Sequence, residues 1–158
     1  MSYTNTIAVI GAGPAGLPTI KELAKEDLKV VAFEQRANLG GMWSDVNGYS
    51  WQGMQTNLSK YTCCYSTYPH AKQTPDFPLS HQMGDYLQLF AKSSRLEDYI
   101  RLEHKVREII PTPNGWQVIY QNKSGQEKVE FFSKVVIATG FFLKQYCQKF
   151  KGKKIFPD

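Results

Sequence analysis

The run Ile7-Ala8-Val9-Ile10-Gly11-Ala12-Gly13-Pro14-Ala15-Gly16-Leu17 constrains this chain more than any other feature. Ile7 to Ile10 is apolar without interruption, which predicts a strand buried on both faces, as in a parallel sheet. Gly11 permits the tight turn, Gly13 lets a backbone approach a ligand where a Cβ would intrude, and Gly16 allows close packing of helix on strand. The helix predicted next closes over Lys21 to Lys25, and a second strand over Val30 to Glu34 ends in an acid. Strand, glycine turn, helix, strand and acid in this order form a cradle for the pyrophosphate of a dinucleotide. The helix turns its unpaired N–H groups and positive end toward the phosphates, and Glu34 can accept hydrogen bonds from a ribose diol. Such a charge-assisted contact contributes about 1.5–3 kcal/mol. An acid at this point suits NAD or the adenosine half of FAD and repels the 2′-phosphate of NADP.

The next motifs choose between the dinucleotides. Gln35 to Asn38 lead into Leu39-Gly40-Gly41-Met42-Trp43, and Ile137-Ala138-Thr139-Gly140 follows near the far end. A glycine pair soon after the acid, with this later segment, resembles the FAD-binding domain of the two-dinucleotide-binding-domain flavoproteins. Tyr49, Gln55-Thr56-Asn57-Leu58-Ser59-Lys60, Tyr68-Pro69 and Phe77-Pro78 extend the likeness. In order and spacing these segments resemble the N-terminal part of the flavin-containing monooxygenases, from Ile7 to Gly152. Phe150 to Asp158 is similar to that family's FxGxxxH signature, with Phe156 where the histidine would stand.

The resemblance implies an α/β, Rossmann-like FAD-binding domain, a parallel sheet with an inserted three-stranded antiparallel meander. It implies cofactor contacts from Gly11, Ala12, Gly13, Pro14, Ala15 and Gly16 in the turn, and from Glu34 and Gln35 after the second strand. Further contacts are implied from Gly40, Gly41, Met42 and Trp43, from Asn57 and Leu58, from backbone near Val106, and from Ala138, Thr139 and Gly140. Asn57 matches the family asparagine near the reactive edge of the flavin, with a turn-forming Asn as its alternative. Trp43 has core packing as its alternative. The activity implied is oxygenation of a small-molecule soft nucleophile, an amine nitrogen or a sulfur, by O₂ with FAD and NADPH. The cofactor performs such chemistry while the protein supplies position and dryness.

The rest of the chain agrees with such a domain. Asn38 to Leu79 is rich in Gly, Pro, Asn, Ser and aromatic residues without a sustained period, long enough to suggest function. Ser80 is expected to start a helix whose Met83, Tyr86, Leu87, Phe90 and Ala91 fall on one core-facing side. Val106 to Ile110, Trp116 to Tyr120 and Val129 to Phe132 read as the meander, with turns at Pro113-Asn114-Gly115 and Lys123-Ser124-Gly125. Val135 to Ala138 reads as a buried parallel strand.

Composition excludes several classes. With 158 residues, 42% hydrophobic and 21% charged, the chain suits a single domain with its own core. The net charge of +5 comes from scattered lysines apart from a run between Lys144 and Lys154, which argues against nucleic-acid binding. No apolar run approaches the ~20 residues of a membrane helix, and a cytoplasmic location is the expectation. Cys63, Cys64 and Cys147 read as reduced thiols, because no redox pair follows the glycine pair between Met42 and Gln55. His70, His81 and His104 have no partner at metal-ligand spacing.

There is no second GxGxxG after Gly16. The expectation is therefore a single, incomplete FAD domain lacking the NADPH unit and the returning part of the family fold, inactive alone and able to self-associate through uncovered apolar surface. Two alternatives stay open: a non-catalytic FAD-binding remnant or partner-dependent subunit, and a fragment of a Baeyer–Villiger monooxygenase.

Overall fold

The computed structural model describes residues 5–26, 28–44, 50–51 and 53–141. Strand β1 (Thr6–Ile10) leads into helix α1 (Gly16–Lys25), which returns the chain to β2 (Lys29–Phe33). A short 3₁₀ turn at Gly41–Trp43 and a long connection precede α2 (Ser80–Ser93). A second 3₁₀ turn, Leu96–Tyr99, leads to the two-residue β3 (Ile100–Arg101). The chain then forms β4 (Lys105–Thr112), β5 (Gly115–Gln121) and β6 (Glu127–Phe132), and ends its regular structure in β7 (Lys134–Ile137).

Two sheets result. The parallel one has the order β3-β2-β1-β7, with Ile7 opposite Val30 on one side and Lys134 on the other. The antiparallel one is the meander β4-β5-β6, with a register shift between Val106 and Glu108. Both elements of the expected architecture are present.

Burial explains the layering. Alternate side chains of a strand point to opposite faces of its sheet, and β1 uses both. Val9 joins Leu17 and Ile20 of α1 and Met83, Leu87 and Phe90 of α2 in one core. Ala8 and Ile10 join Phe33 and the meander residues Val118, Tyr120 and Phe132 in a second. The parallel sheet is thus covered by helices on one face and by the meander on the other. Phe33 is fully buried, with its ring centroid 4.8 Å from that of Tyr120 and 5.8 Å from that of Phe132. Burying such a side chain contributes about 1.5–3 kcal/mol. Arg101 adds a polar clasp. Its Nη1 donates to Glu130 at 2.6 Å and to the Tyr120 hydroxyl at 3.3 Å, and Tyr120 donates to Glu130. Burial, with the Glu130 carboxylate beside it, pushes the Tyr120 phenol up to about 12, so this donor is retained at neutral pH.

Two details differ from the sequence expectations. β7 is parallel to β1 but is not a buried strand: Val135 and Val136 are half-buried and Ile137 is 69% exposed. Among the described residues it is an edge of the sheet, so nothing covers its outer side. β3 is an element the sequence does not announce. Its two residues pair with Ala32 and Phe33, too short a stretch to show a period. Cys147, the basic run and the Phe150–Asp158 signature lie outside the described residues, as does Tyr49. Among the described residues, no helix is long and apolar enough to cross a membrane.

Candidate functional site

The carboxyl ends of β1, β2 and β7 converge on one cleft of about 410 Å³. Crevices of this kind, outside the carboxyl ends of parallel strands, are where α/β sheets bind ligands. Its floor is the glycine turn. Gly11 takes φ +105°, a conformation that favours glycine, and its N–H donates to Phe33 O at 2.8 Å. A Cβ on Gly11 would stand 2.5 Å from Ala138 O, and one on Gly16 would stand 2.0 Å from Gly11 O. The glycines are therefore required where turn, helix and β7 meet. Gly13 lies beside the second glycine cluster: an added Cβ would be 3.4 Å from Gly41 Cα, an ordinary contact. The two glycine clusters of the sequence touch.

Glu34, 5% exposed, organises the turn. Its Oε2 accepts the Ala12 N–H at 2.9 Å and its Oε1 the Arg36 N–H at 3.0 Å. An ionised carboxylate offers about four lone-pair sites, so acceptor capacity remains for a ligand hydroxyl. Gly40, at φ +110°, donates its N–H to Ala12 O at 3.0 Å, and Arg36 Nη1 donates to Gly41 O and lies 3.4 Å from Ser44 Oγ. These bonds hold the segment carrying Met42 against the turn. α1 begins at Gly16 with no side chain capping it, and Ala15 at its start lines the cleft.

The expected site residues separate into three groups. Gly11, Gly13, Pro14, Ala15, Glu34, Gln35, Gly41, Met42, Val106, Ala138, Thr139 and Gly140 line the cleft together. Trp43, Asn57 and Leu58 line a second cavity of about 250 Å³, which shares Pro14 with the first. Ala12, Gly16 and Gly40 line neither and act from behind, through the backbone bonds and close contacts just described. Asn57 is exposed in a turn whose side-chain bond comes from Thr56, Oγ1 to Leu58 O at 2.8 Å, while Thr56 N–H donates to Pro78 O at 2.9 Å.

Several lining residues were not anticipated. Arg36 and His104 border the cleft, and Thr56, Cys63, Cys64, Tyr65, Met83 and Tyr86 border the second cavity. For His104 a local signal exists, since it stands just before the strand bearing Val106. Its N–H donates to Glu34 O at 2.9 Å. For Cys63, Cys64 and Tyr65 no periodic signal exists. Burial raises the Cys63 thiol above its ordinary value, which suits a structural thiol, and pushes the Tyr86 phenol up to about 12.

A dinucleotide fits this residue set. The glycine turn leaves space only a backbone without Cβ can leave, an uncapped helix start offers N–H groups to phosphate, and a buried carboxylate with spare acceptor capacity stands at the end of β2. Fold and site together define the chain as a dinucleotide-binding domain of the flavoprotein type.

Comparison with known proteins makes the assignment specific. The sequence profile of the flavin-binding monooxygenase-like family matches residues 4–157. The chain is 31% identical to flavin-containing monooxygenase FMO GS-OX-like 1 of Arabidopsis thaliana over 181 aligned positions, covering 99% of this chain and 39% of that protein. It is 32% identical to dimethylaniline monooxygenase [N-oxide-forming] 4 of Homo sapiens over 166 positions, covering 93% of this chain and 30% of that protein. Among solved structures, the S-allyl-L-cysteine S-oxygenase of Allium sativum superposes with a TM-score of 0.86 at 24% identity, over 96% of this chain and 40% of the other. The chain belongs to the flavin-binding monooxygenase-like family and corresponds to its N-terminal FAD-binding portion. It spans 39% and 30% of the lengths of the two relatives named.

Proposed function

We propose that this chain holds FAD as part of an NADPH- and O₂-dependent monooxygenase that oxygenates a soft nucleophile, an amine nitrogen or a sulfur. The observation that carries the reading is the junction at Pro14 of two cavities, one lined by the glycine turn and Glu34, the other by Asn57 and Trp43. In this reading the turn and the start of α1 hold the pyrophosphate, Glu34 the ribose, and backbone near Val106 the adenine. Gly41 and Met42 hold the part of the cofactor nearest the second cavity. Bound FAD supplies electron transfer to O₂ and delivery of one oxygen atom. Asn57 presents an amide donor at the reacting end, and Trp43, Leu58 and Met83 exclude water there. The relatives named above, an N-oxide-forming enzyme and an S-oxygenase, support the choice of nucleophile.

The nicotinamide-binding unit, in the same reading, is contributed by sequence outside residues 1–158. The only glycine turn of this type present carries Glu34, which repels a 2′-phosphate. A cytoplasmic location and self-association through the exposed Ile137 and Phe141 belong to the reading as well. The test is an FAD titration followed by absorbance. Saturable binding of FAD in preference to NAD is expected, with strong weakening by Gly13→Val, whose branched side chain would occupy the space that the pyrophosphate needs in this reading. Binding of NAD but not FAD would overturn the assignment. In a protein extended by the nicotinamide unit, Asn57→Ala is expected to uncouple NADPH oxidation from oxygenation; normal coupling would remove Asn57 from the site.

A further inference from the structure

The winding of α1 begins before its first helical residue and contains a gap. Leu17 N–H donates to Gly13 O at 3.0 Å, and Thr19 N–H donates to Ala15 O at 3.4 Å. These are two rungs of an i to i−4 ladder with one missing between them. The missing rung would run from residue 18 to Pro14 O, and residue 18 is Pro18, which has no N–H to give. The Pro14 carbonyl is left to take a donor from water or from a side chain.

That donor is Tyr65, whose hydroxyl donates to Pro14 O at 2.7 Å from 51 residues away. Tyr65 is itself held on several sides. Its N–H donates to the Tyr86 hydroxyl at 2.7 Å, and Tyr86 donates in turn to Tyr68 O at 2.6 Å. Its ring packs 4.3 Å from Phe90 and 5.7 Å from Tyr86, centroid to centroid. Burial drives its phenol far above the ordinary value, so the hydroxyl remains a donor. A second tie runs in parallel, from Lys21 Nζ on α1 to Thr67 Oγ1 at 3.0 Å. Pro14 lines both cavities and Tyr65 lines the second, so this bond joins the phosphate-binding turn to the loop that presents Asn57.

We infer that Tyr65 is a positioning residue of the FAD site, its hydroxyl replacing the N–H that Pro18 lacks and fixing the Pro14 end of the glycine turn against the Asn57 loop. The inference rests on the FAD reading above. It makes the sequence choice at position 18 and the residue at position 65 a matched pair. An alanine at 18 would restore the ladder and make the tyrosine hydroxyl dispensable to the turn.

A double-mutant cycle on the 158-residue chain, read by FAD titration and by thermal melting, tests this. Tyr65→Phe keeps the ring and is expected to weaken FAD binding about three- to tenfold, the range for loss of one neutral hydrogen bond. In a Pro18→Ala background, where residue 18 can donate to Pro14 O, Tyr65→Phe is expected to weaken it less than about twofold. Equal losses in both backgrounds would overturn the inference, as would unchanged FAD affinity in Tyr65→Phe alone. If Tyr65→Phe folds poorly, recovery by Pro18→Ala supports the pairing and failure to recover overturns it. If the unsubstituted chain binds no FAD, the FAD reading and the positioning role fall together. The melting cycle then judges the donor replacement by itself: non-additive shifts support it and additive shifts overturn it.

Discussion

Gly84→Ala sets two physical effects against each other. Gly84 lies in the middle of α2, where alanine is favoured over glycine by about 1 kcal/mol from helix propensity alone. Yet it faces inward, and a Cβ built there would stand 2.6 Å from Trp43 O, against the 3.4 Å at which ordinary contact begins. One backbone must therefore retreat by about 0.8 Å, since neither atom belongs to a side chain that can swing away. Overpacking of this kind costs about 1–3 kcal/mol. The steric effect wins, for a net loss of about 1 kcal/mol, or a fall of about 2–4 °C in melting temperature for a domain of this size. The displaced turn, Gly41–Trp43, carries Met42 into the cleft and Trp43 into the second cavity, so FAD affinity should fall with stability. Thermal melting with and without FAD reads both effects. A higher melting temperature in Gly84→Ala, with FAD affinity unchanged, would refute the claim that α2 supports the site through this contact.

Glu34→Gln should destabilise the turn by about 1–3 kcal/mol even without ligand, because the amide offers one acceptor where two backbone N–H groups converge. Urea unfolding of the unliganded chain measures it, and wild-type stability would limit Glu34 to ligand contact. His70 stacks on Tyr86 at 4.0 Å and pairs with Cys63 O at 3.2 Å, and burial lowers its pKa from the usual 6.5. The unfolded chain then binds more protons, so His70 contributes stability above the unfolded value that is lost as pH falls through it toward the folded one. Melting temperature should drop below about pH 6.5, and His70→Gln should flatten that slope; an identical slope would remove His70 as its source.

Much of the fold was legible because it depends on local pattern. The spacing of Met83, Tyr86, Leu87, Phe90 and Ala91 identified the buried face of α2, and all five are buried. The meander's strands were read from alternation and turn residues, and structure lengthens them by a residue or two at some ends. β7 was placed to within one residue, as Val135 to Ala138 against the observed Lys134–Ile137, but its burial was not read correctly. Its apolar run specifies a strand, whereas burial on both faces depends on what lies beside it, and the exposed Ile137 shows that local composition carries no such information. β3 escaped because two residues have no period.

The site divides along the same line, and the division bears on how binding would work. Glycines were legible because a turn with Gly11 at φ +105°, whose carbonyl oxygen stands 2.0 Å from where a Cβ on Gly16 would lie, imposes backbone demands that few residue types meet. The hydrogen-bonding roles of Arg36, Tyr65 and Thr56 were not legible, because hydrogen-bonding side chains can act from any sequence distance. Yet Arg36 and Tyr65, with Glu34, make the bonds that hold the turn, the Gly40–Gly41 segment and the Asn57 loop together. The glycine turn is tied on both sides, by Glu34 and by Tyr65, and ties of this kind reduce the ordering that ligand binding has to supply. The same ties make the two cavities interdependent. In the proposed reading a change that loosens Pro14 reaches both cavities at once, which is why a variant at Tyr65, which does not line the 410 Å³ cleft, is expected to alter FAD affinity, whereas Gly84 acts through the Gly41–Trp43 turn.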